Sequence, residues 1–479
     1  MRNSTAFLLY IQCCLAVLLS FANFGSAQAD EKEKSRKPNI IFILADDLGF
    51  NQIGAYGDTP IRTPNLDRLA RGGIRFTQAY AGNTVCSPSR VSLFTGRDSR
   101  LMHDNSNKVQ LRDIDVTIAH VLKYAGYDTG LFGKYSIGSQ MGVTDPLAMG
   151  FDTWFGMYSI LEGHRQYPHF LWRDGEKIRL EENEAGGKNA YAQKMFAQEA
   201  IQFIERDRDK PFLVMLTFSS PHAELAAPKK FVEPYIGEFA EEAYSGMSSG
   251  EPSDKYAWYY PEPVEYPRAT FAGMVTALDS YVGDIVQSLE RHSMADNTLI
   301  FFTSDNGPHD EGGGDPEFFR ASAPYKGMKR DLFDGGIHVP MIAYWPAEIK
   351  RGRVDDTPWA FADVLPTFAE LAGVSLNSVP RVKTNGASIG PLLCDEPSSL
   401  PERTLYWEFG KQAGDPNSGV VGEVYQAARR GPWKAVRYGK QAPTQLFDIS
   451  ADPGESSELS EQYPDVHSEF VRMFDKHSS

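Results

Sequence analysis

The stretch Pro38-Asn39-Ile40-Ile41-Phe42-Ile43-Leu44-Ala45-Asp46-Asp47-Leu48-Gly49-Phe50 decides the fold. Ile40 to Ala45 is a continuous apolar run, without the alternation of a half-solvated strand, and it predicts a strand buried on both faces of a parallel sheet. The run stops at two adjacent carboxylates. Open α/β sheets build their sites at the carboxyl ends of such strands. Two anions this close repel unless a cation lies between them. Asp46 and Asp47 therefore read as metal ligands, with an Asp-rich turn as the plain alternative.

Working outward, strand and helix patterns alternate. Thr63 to Ala70 opens with an N-cap and a proline and ends at Gly72-Gly73, a capped helix. Ile74 to Tyr80 reads as a strand, Val116 to Tyr124 as an amphipathic helix stopped by Gly126, and Thr129 to Phe132 as a strand that delivers Gly133-Lys134-Tyr135-Ser136. Pro211 to Phe218 is a second buried run, ending in Ser219-Ser220-Pro221-His222. Thr270 to Arg291 has the apolar spacing of a long scaffold helix, and Thr298 to Phe302 is a strand running into Thr303-Ser304-Asp305-Asn306-Gly307. This order predicts an α/β fold: a large mixed, mostly parallel sheet flanked by helices. Asp305 and Asn306, at another strand end, complete an oxygen-only donor set with Asp46 and Asp47; such a set suits calcium better than zinc and also admits magnesium.

After Leu393 the composition shifts. Leu405 to Phe409, Tyr425 to Arg429, Trp433 to Tyr438 and Gln445 to Asp448 read as short strands without long helices between them, closed by a helix from Val466 to Lys476. They predict a small C-terminal antiparallel sheet. The expected organisation is a leader over residues 1–29, a catalytic domain over 38–395 and a C-terminal subdomain over 396–479.

The chain has 479 residues, 42% hydrophobic, with a net charge of -15 and no basic run, which argues against a nucleic-acid partner. Arg2, the apolar run Ala6 to Phe21 and then Gly25-Ser26-Ala27-Gln28-Ala29 form the three-part pattern of a secretory signal, with cleavage near Ala29. The run is short for a membrane span, so no stable anchor is expected and the mature chain is exported, periplasmic or secreted. Cys13 and Cys14 leave with the leader, and Cys86 and Cys394 remain.

Cys86 lies in Thr84 to Gly96, T-V-C-S-P-S-R-V-S-L-F-T-G. Ser87 suits an N-cap and Pro88 a first helical turn, which sets Cys86 just outside a helix N-terminus. Free N–H groups and the helix dipole favour an anion there. With Arg90 one turn inside, the arrangement points to chemistry on an oxyanion ester; a structural Cys before a capped helix is the plain alternative.

The spacing C-x-P-S-R-x4-T-G closely resembles the signature of the type I sulfatases, of the alkaline-phosphatase-like superfamily. The resemblance extends from about Pro38 to the end. It implies that a formylglycine-generating enzyme oxidises Cys86 to formylglycine, whose hydrated aldehyde is the nucleophile and a further metal ligand beside Asp46, Asp47, Asp305 and Asn306. Conversion of Cys86 also leaves no pair for an intramolecular disulfide. The resemblance assigns Lys134 and Lys329, the latter in Y-K-G-M-K-R-D-L-F-D-G-G-I-H-V-P from Tyr325, to the sulfate, with Arg90 sharing the charge, and His222 to the departing alcohol.

Three positions depart from the family pattern. Asp334 stands for a Glu and His338 for an Arg, both expected to act at one remove. Ser136 stands where many members have the histidine that takes a proton from the hydrate, and a serine is no base near neutral pH. His164, in E-G-H-R-Q-Y-P, is the candidate replacement, with a surface or sugar-contacting His as the alternative. Lys326 and Arg330 either line the same pocket or solvate a loop, the solvated reading being favoured. The aromatics Tyr256, Trp258, Tyr259 and Tyr260 suit either stacking on sugar rings or packing on the domain surface. A sulfated carbohydrate is the favoured substrate. Two rivals stay open: a phosphodiesterase or phosphonate hydrolase of the same superfamily, and a non-catalytic sulfoglycan-binding protein with Cys86 unconverted.

Overall fold

Alternate side chains of the first strand feed two cores. Ile41, Ile43 and Ala45 join one, with Leu66, Phe196 and Leu278, and Ile40, Phe42 and Leu44 the other, with Val91, Leu122 and Phe368. That two-sided burial is what the unbroken apolar run requires. The computed structural model describes residues 37–138, 142–247, 259–394, 400–410 and 423–477. The expected leader, residues 1–29 with Cys13 and Cys14, lies outside them, as do Tyr256 and Trp258. Among the described residues no helix is long and apolar enough to cross a membrane.

The strands are β1 (Asn39–Asp46), β2 (Ile74–Phe76), β3 (Ala79–Tyr80), β4 (Asp128–Lys134), β5 (Thr153–Met157), β6 (Phe170–Arg173), β7 (Glu176–Arg179), β8 (Phe212–Pro221), β9 (Thr298–Ser304), β10 (Met341–Tyr344), β11 (Arg353–Asp355), β12 (Trp359–Ala360) and β13–β16, the last four over Leu405–Gly410, Val424–Arg430, Trp433–Tyr438 and Gln445–Asp448. A 10-stranded sheet runs β11-β2-β10-β9-β1-β8-β4-β5-β6-β7. From β9 through β5 all pairings are parallel, while β10, β6 and β7 pair antiparallel with their inner neighbours. The mostly parallel sheet is thus as expected. Ile74 to Tyr80 differs: the chain bends at Thr77-Gln78, so β2 stays in the main sheet and β3 pairs with β12.

Helices cover both faces: α1 (Pro64–Gly72), α2 (Cys86–Thr95), α3 (Ile118–Tyr124), α4 (Ala192–Ile204), α5 (Pro267–Arg291) and α6 (Val364–Leu371). α1, α4 and α5 supply one core, and α2, α3 and α6 the other. Thr63 makes no side-chain cap for α1. Asp279 of α5 caps it instead, accepting from the N–H groups of Asn65 at 3.2 Å and Leu66 at 2.8 Å.

The C-terminal sheet runs in the order β13-β14-β15-β16, all antiparallel. Trp407, Phe409, Val436 and Phe447 on one face pack with Tyr80 and Val85, beside Cys86. Tyr406, Ala435 and Leu446 on the other meet Phe470 and Phe474 of α7 (Pro464–His477). The Trp407 indole N–H donates to the Ala81 carbonyl at 2.9 Å, tying this sheet to the approach to the Cys86 loop.

Between the sheets lies a buried ionic cluster. The Lys434 ammonium pairs with Asp334 and, at 2.9 Å, with Glu455, and the Asp334 carboxylate also faces Tyr80 and His338. Asp334 and His338 thus contact each other and this cluster. Burial, reinforced by Asp334, pushes the Glu455 carboxyl up to about 7, against the pull of Lys434. Its folded value lies above the unfolded one, so the folded chain holds a proton the unfolded chain releases between pH 4.5 and about 7. Stability from this group thus falls as pH rises through that window. Glu455→Gln is expected to flatten the decline of the unfolding midpoint across it. A decline as steep as in the wild type would refute the assignment.

Candidate functional site

Four adjacent parallel strands end at one edge, and each end carries a polar side chain. β1 ends in Asp46-Asp47, β4 in Lys134, β8 runs into His222 and β9 into Asp305-Asn306. All six are buried. A register shift between Leu44 and Asp46 and a left-handed Asp47, φ 65°, bring both carboxylates to this edge. Gly133 has φ 120°, and a Cβ there would lie 1.9 Å from the Thr217 carbonyl, so only glycine lets β4 deliver Lys134 this close to β8.

Cys86 is the first residue of α2, and Val85 before it is extended at φ -140°. The expectation that Ser87 caps this helix is corrected. The Val85 carbonyl already accepts from the Ser89 N–H, and the Ser87 hydroxyl donates instead to the Ser136 carbonyl at 3.3 Å. The Cys86 thiol lies 3.8 Å from Asn107 Oδ1. Its burial pushes the pKa up, with Lys134 and Lys329 pulling it back.

The charges interlock in two groups. In the first, Lys134 pairs with Asp46, while Arg90 is fully buried, donating Nε to Asp305 at 2.9 Å and lying 3.6 Å from Asp46. In the second, the Lys329 ammonium lies 2.8 Å from both Asp47 and Glu311 and donates to His222 Nε2 at 3.0 Å. His222 Nε2 is therefore an acceptor, and its Nδ1–H donates to the Ala223 carbonyl at 2.5 Å. Burial, with Lys329 beside it, holds His222 well below the usual imidazole range. Burial alone would raise Asp47 and Glu311, yet Lys329 keeps both carboxyls below their ordinary values.

The donor set fits a hard divalent cation. Asp46 Oδ1 and Asn306 Oδ1 are buried and hydrogen-bond to nothing among the described residues. Burial and the nearby Asp305 push Asp46 up to about 7, the response of crowded carboxylates to which a cation would bring balance. Donor atoms of Asp46, Asp47 and His222 lie within 4.8 Å of one another. Lys329 engages Asp47 and His222 alike and Arg90 holds Asp305, so the unpartnered oxygens of Asp46 and Asn306, beside Asp47, Asp305 and His222, are the groups that could hold a cation.

His164 comes to the site from a short turn, Glu162–His164, and its ring stacks on His222 at 4.2 Å. Gly163 permits this, since a Cβ there would lie 2.8 Å from the Lys134 stem. Ser136 has a buried hydroxyl without a partner among the described residues, and it lines a cavity of about 550 Å³ with Asn107 and Tyr158.

The sequence did not point to Glu311, His309 or Asn107. Glu311 also accepts from Tyr260 Oη at 2.9 Å and pairs with Arg330 at 2.7 Å. The signal was the run N-G-P-H-D-E, a histidine and two acids directly after Asn306. Arg330 is thus no solvated loop residue, whereas Lys326 is exposed, above the Phe333 ring. Tyr260 is buried, its hydroxyl also 3.2 Å from His164 Nδ1, and Tyr259 is exposed.

Two buried lysines beside a carboxylate cluster at the strand ends of such a sheet go with an alkaline-phosphatase-like fold. The chain belongs to the formylglycine-type sulfatase family and is a sulfuric ester hydrolase: the family described as Sulfatase matches residues 38–374, and the one described as N-sulphoglucosamine sulphohydrolase, C-terminal, matches 327–477. Among its relatives, N-acetylgalactosamine-6-sulfatase of Canis lupus familiaris is 30% identical, over 97% of this chain and 89% of that protein. N-acetylgalactosamine-6-O-sulfatase of Bacteroides thetaiotaomicron is 27% identical, over 94% of each. The crystal structure of Ps i-CgsB in complex with k-i-k-neocarrahexaose superposes with a TM-score of 0.75 at 26% identity, covering 92% of both chains.

Proposed function

We propose that this protein removes sulfate from a sulfated carbohydrate, using formylglycine made from Cys86 and a cation, calcium before magnesium, held by Asp46, Asp47, Asp305 and Asn306. The observation that carries the reading is the pair of buried ammonium groups at the strand ends, Lys134 on Asp46 and Lys329 on Asp47. When bound, the cation and the hydrated aldehyde supply an activated oxygen nucleophile and charge stabilisation at sulfur. Lys134 and Lys329 bind the sulfuryl oxygens as charge grows on them. Arg90 reaches Asp305 and Asp46 with no exposed surface, so its part is to hold the cradle. Glu311 anchors Lys329, Arg330 and Tyr260 around the histidines.

His222 delivers the proton that the departing sugar oxygen needs. An anionic sulfate ester beside the ring favours the charged imidazolium and offsets its present bias. Ser136 cannot act as base, and His164, stacked on His222, takes that role in completing turnover. His164→Ala is expected to leave the first release of alcohol unchanged and to slow steady-state turnover by roughly 100-fold. Equal loss in both phases would remove His164 from this role.

The relatives' names and the oligosaccharide bound to Ps i-CgsB favour a glycan over a small aryl sulfate. The N-terminal pattern supports export to the periplasm or beyond, and maturation calls for a formylglycine-generating enzyme. Residues 38–395 would carry the chemistry and 396–479 would brace the Cys86 loop. The test is sulfate release from a panel of defined sulfated sugars, run beside phosphate diesters, with and without a chelator. Sulfate release that the chelator abolishes and calcium restores is expected. Faster cleavage of phosphate diesters would overturn the reading.

A further inference from the structure

A second cavity, of about 510 Å³, lies beside the Glu162–His164 turn, and Glu162 lines both the Ser136 cavity and this one. Tyr260 forms its wall toward the histidines, with its hydroxyl on His164 and Glu311. The His164 carbonyl accepts from the N–H of Glu224, another lining residue. The cavity therefore abuts the His222 side of the site across the Tyr260 ring, next to where the proposed reaction releases its alcohol. Its volume falls in the range that encloses a small ligand.

The lining has the composition of a sugar site. Tyr167, Phe170 and Tyr260 offer aromatic surface, with Pro261 and Pro263 beside them. Arg165, Lys188 and Glu224 supply polar groups for hydroxyls, while the Asn183 amide is already bonded to backbone on both its nitrogen and its oxygen. Its charge is informative. Arg165 and Lys188 face Glu162, Glu224 and Glu262, and Arg165 is already paired with Glu224 at 2.9 Å. The cavity thus has no surplus positive charge, unlike the Lys134 and Lys329 centre. With His169 also in the lining, a second sulfate or a uronate would meet no net positive charge there.

We propose that this cavity is a subsite for an uncharged pyranose, the sugar adjoining the sulfated residue on the glycan. The proposal rests on the sulfatase reading and narrows the substrate class to chains in which the neighbouring sugar carries no acid.

The test compares kcat/KM for three substrates: a sulfated monosaccharide, the same sugar joined to a neutral hexose or hexosamine, and the same sugar joined to a uronate. The neutral neighbour is expected to raise kcat/KM over the monosaccharide, and the uronate to lower it about fivefold relative to the neutral one. Tyr167→Ala should lower kcat/KM for the neutral disaccharide about tenfold, with the monosaccharide unchanged. Tyr167 also packs on Tyr191, so a second variant avoids the core. Glu262 is exposed, and Glu262→Lys should selectively improve the uronate substrate. Equal rates on all three substrates, or a wild-type preference for the uronate, would overturn the subsite. Absence of sulfate release from every substrate would instead defeat the sulfatase reading. In that case binding of the desulfated neutral disaccharide, abolished by Tyr167→Ala, decides the subsite, and unchanged binding overturns it.

Discussion

Cys86→Ala is expected to lower sulfate release by roughly 10⁵-fold or more, the scale seen when an enzyme loses its nucleophile. Cys86 is 2% exposed at the first turn of α2, and alanine is a good helix former that leaves only a small void. Fold and unfolding midpoint should therefore change little. Lys134 and Lys329 stay in place, so the variant should still bind a sulfated sugar with near wild-type affinity. The matching control is Cys394→Ala, at the end of a turn away from the strand-end residues, which should leave turnover intact. Activity retained in Cys86→Ala would mean that another group attacks sulfur.

Lys329→Met is the second large effect, and it divides into two parts. Lys329 is the common partner of Asp47, Glu311 and His222, and all of these are buried. Removing one partner of a buried ion pair leaves charge without compensation and costs about 3–5 kcal/mol. Arg330 still pairs with Glu311 at 2.7 Å, which offsets part of that loss. Adding Glu311→Gln to Lys329→Met should recover part of the stability, read as the denaturant midpoint. It should recover none of the activity, because the sulfuryl oxygens have lost a preorganised donor, a loss of roughly 10²–10³-fold in kcat. A double variant that regained activity would reduce Lys329 to a structural counter-ion.

The parts of this molecule legible in its sequence are those where local pattern and burial agree. The apolar run to Ala45 could only be a strand covered on both faces, and its carboxylates had to meet at the sheet edge. Strands β13 to β16 were readable because Leu405, Trp407 and Phe409 alternate with Tyr406 and Glu408 toward separate cores. The start of α2 was misread because a serine before a proline looks like a cap, while its hydroxyl is drawn to the Ser136 carbonyl, 49 residues away in sequence. Glu311 was missed, and Arg330 was favoured as a solvated residue, for the same reason. Their stretches have no periodicity, and only tertiary packing brings them to Lys329. His164 was suspected because a base was missing at Ser136, and the stack on His222 comes from long-range packing that no local spacing encodes.

The most direct test is the mass of the peptide carrying Cys86 in protein purified from a host able to form formylglycine, measured on material that releases sulfate. The account predicts a residue that has lost sulfur and two hydrogens and gained one oxygen, the aldehyde, with the extent of conversion tracking specific activity. An unmodified thiol at Cys86 in fully active protein would contradict it.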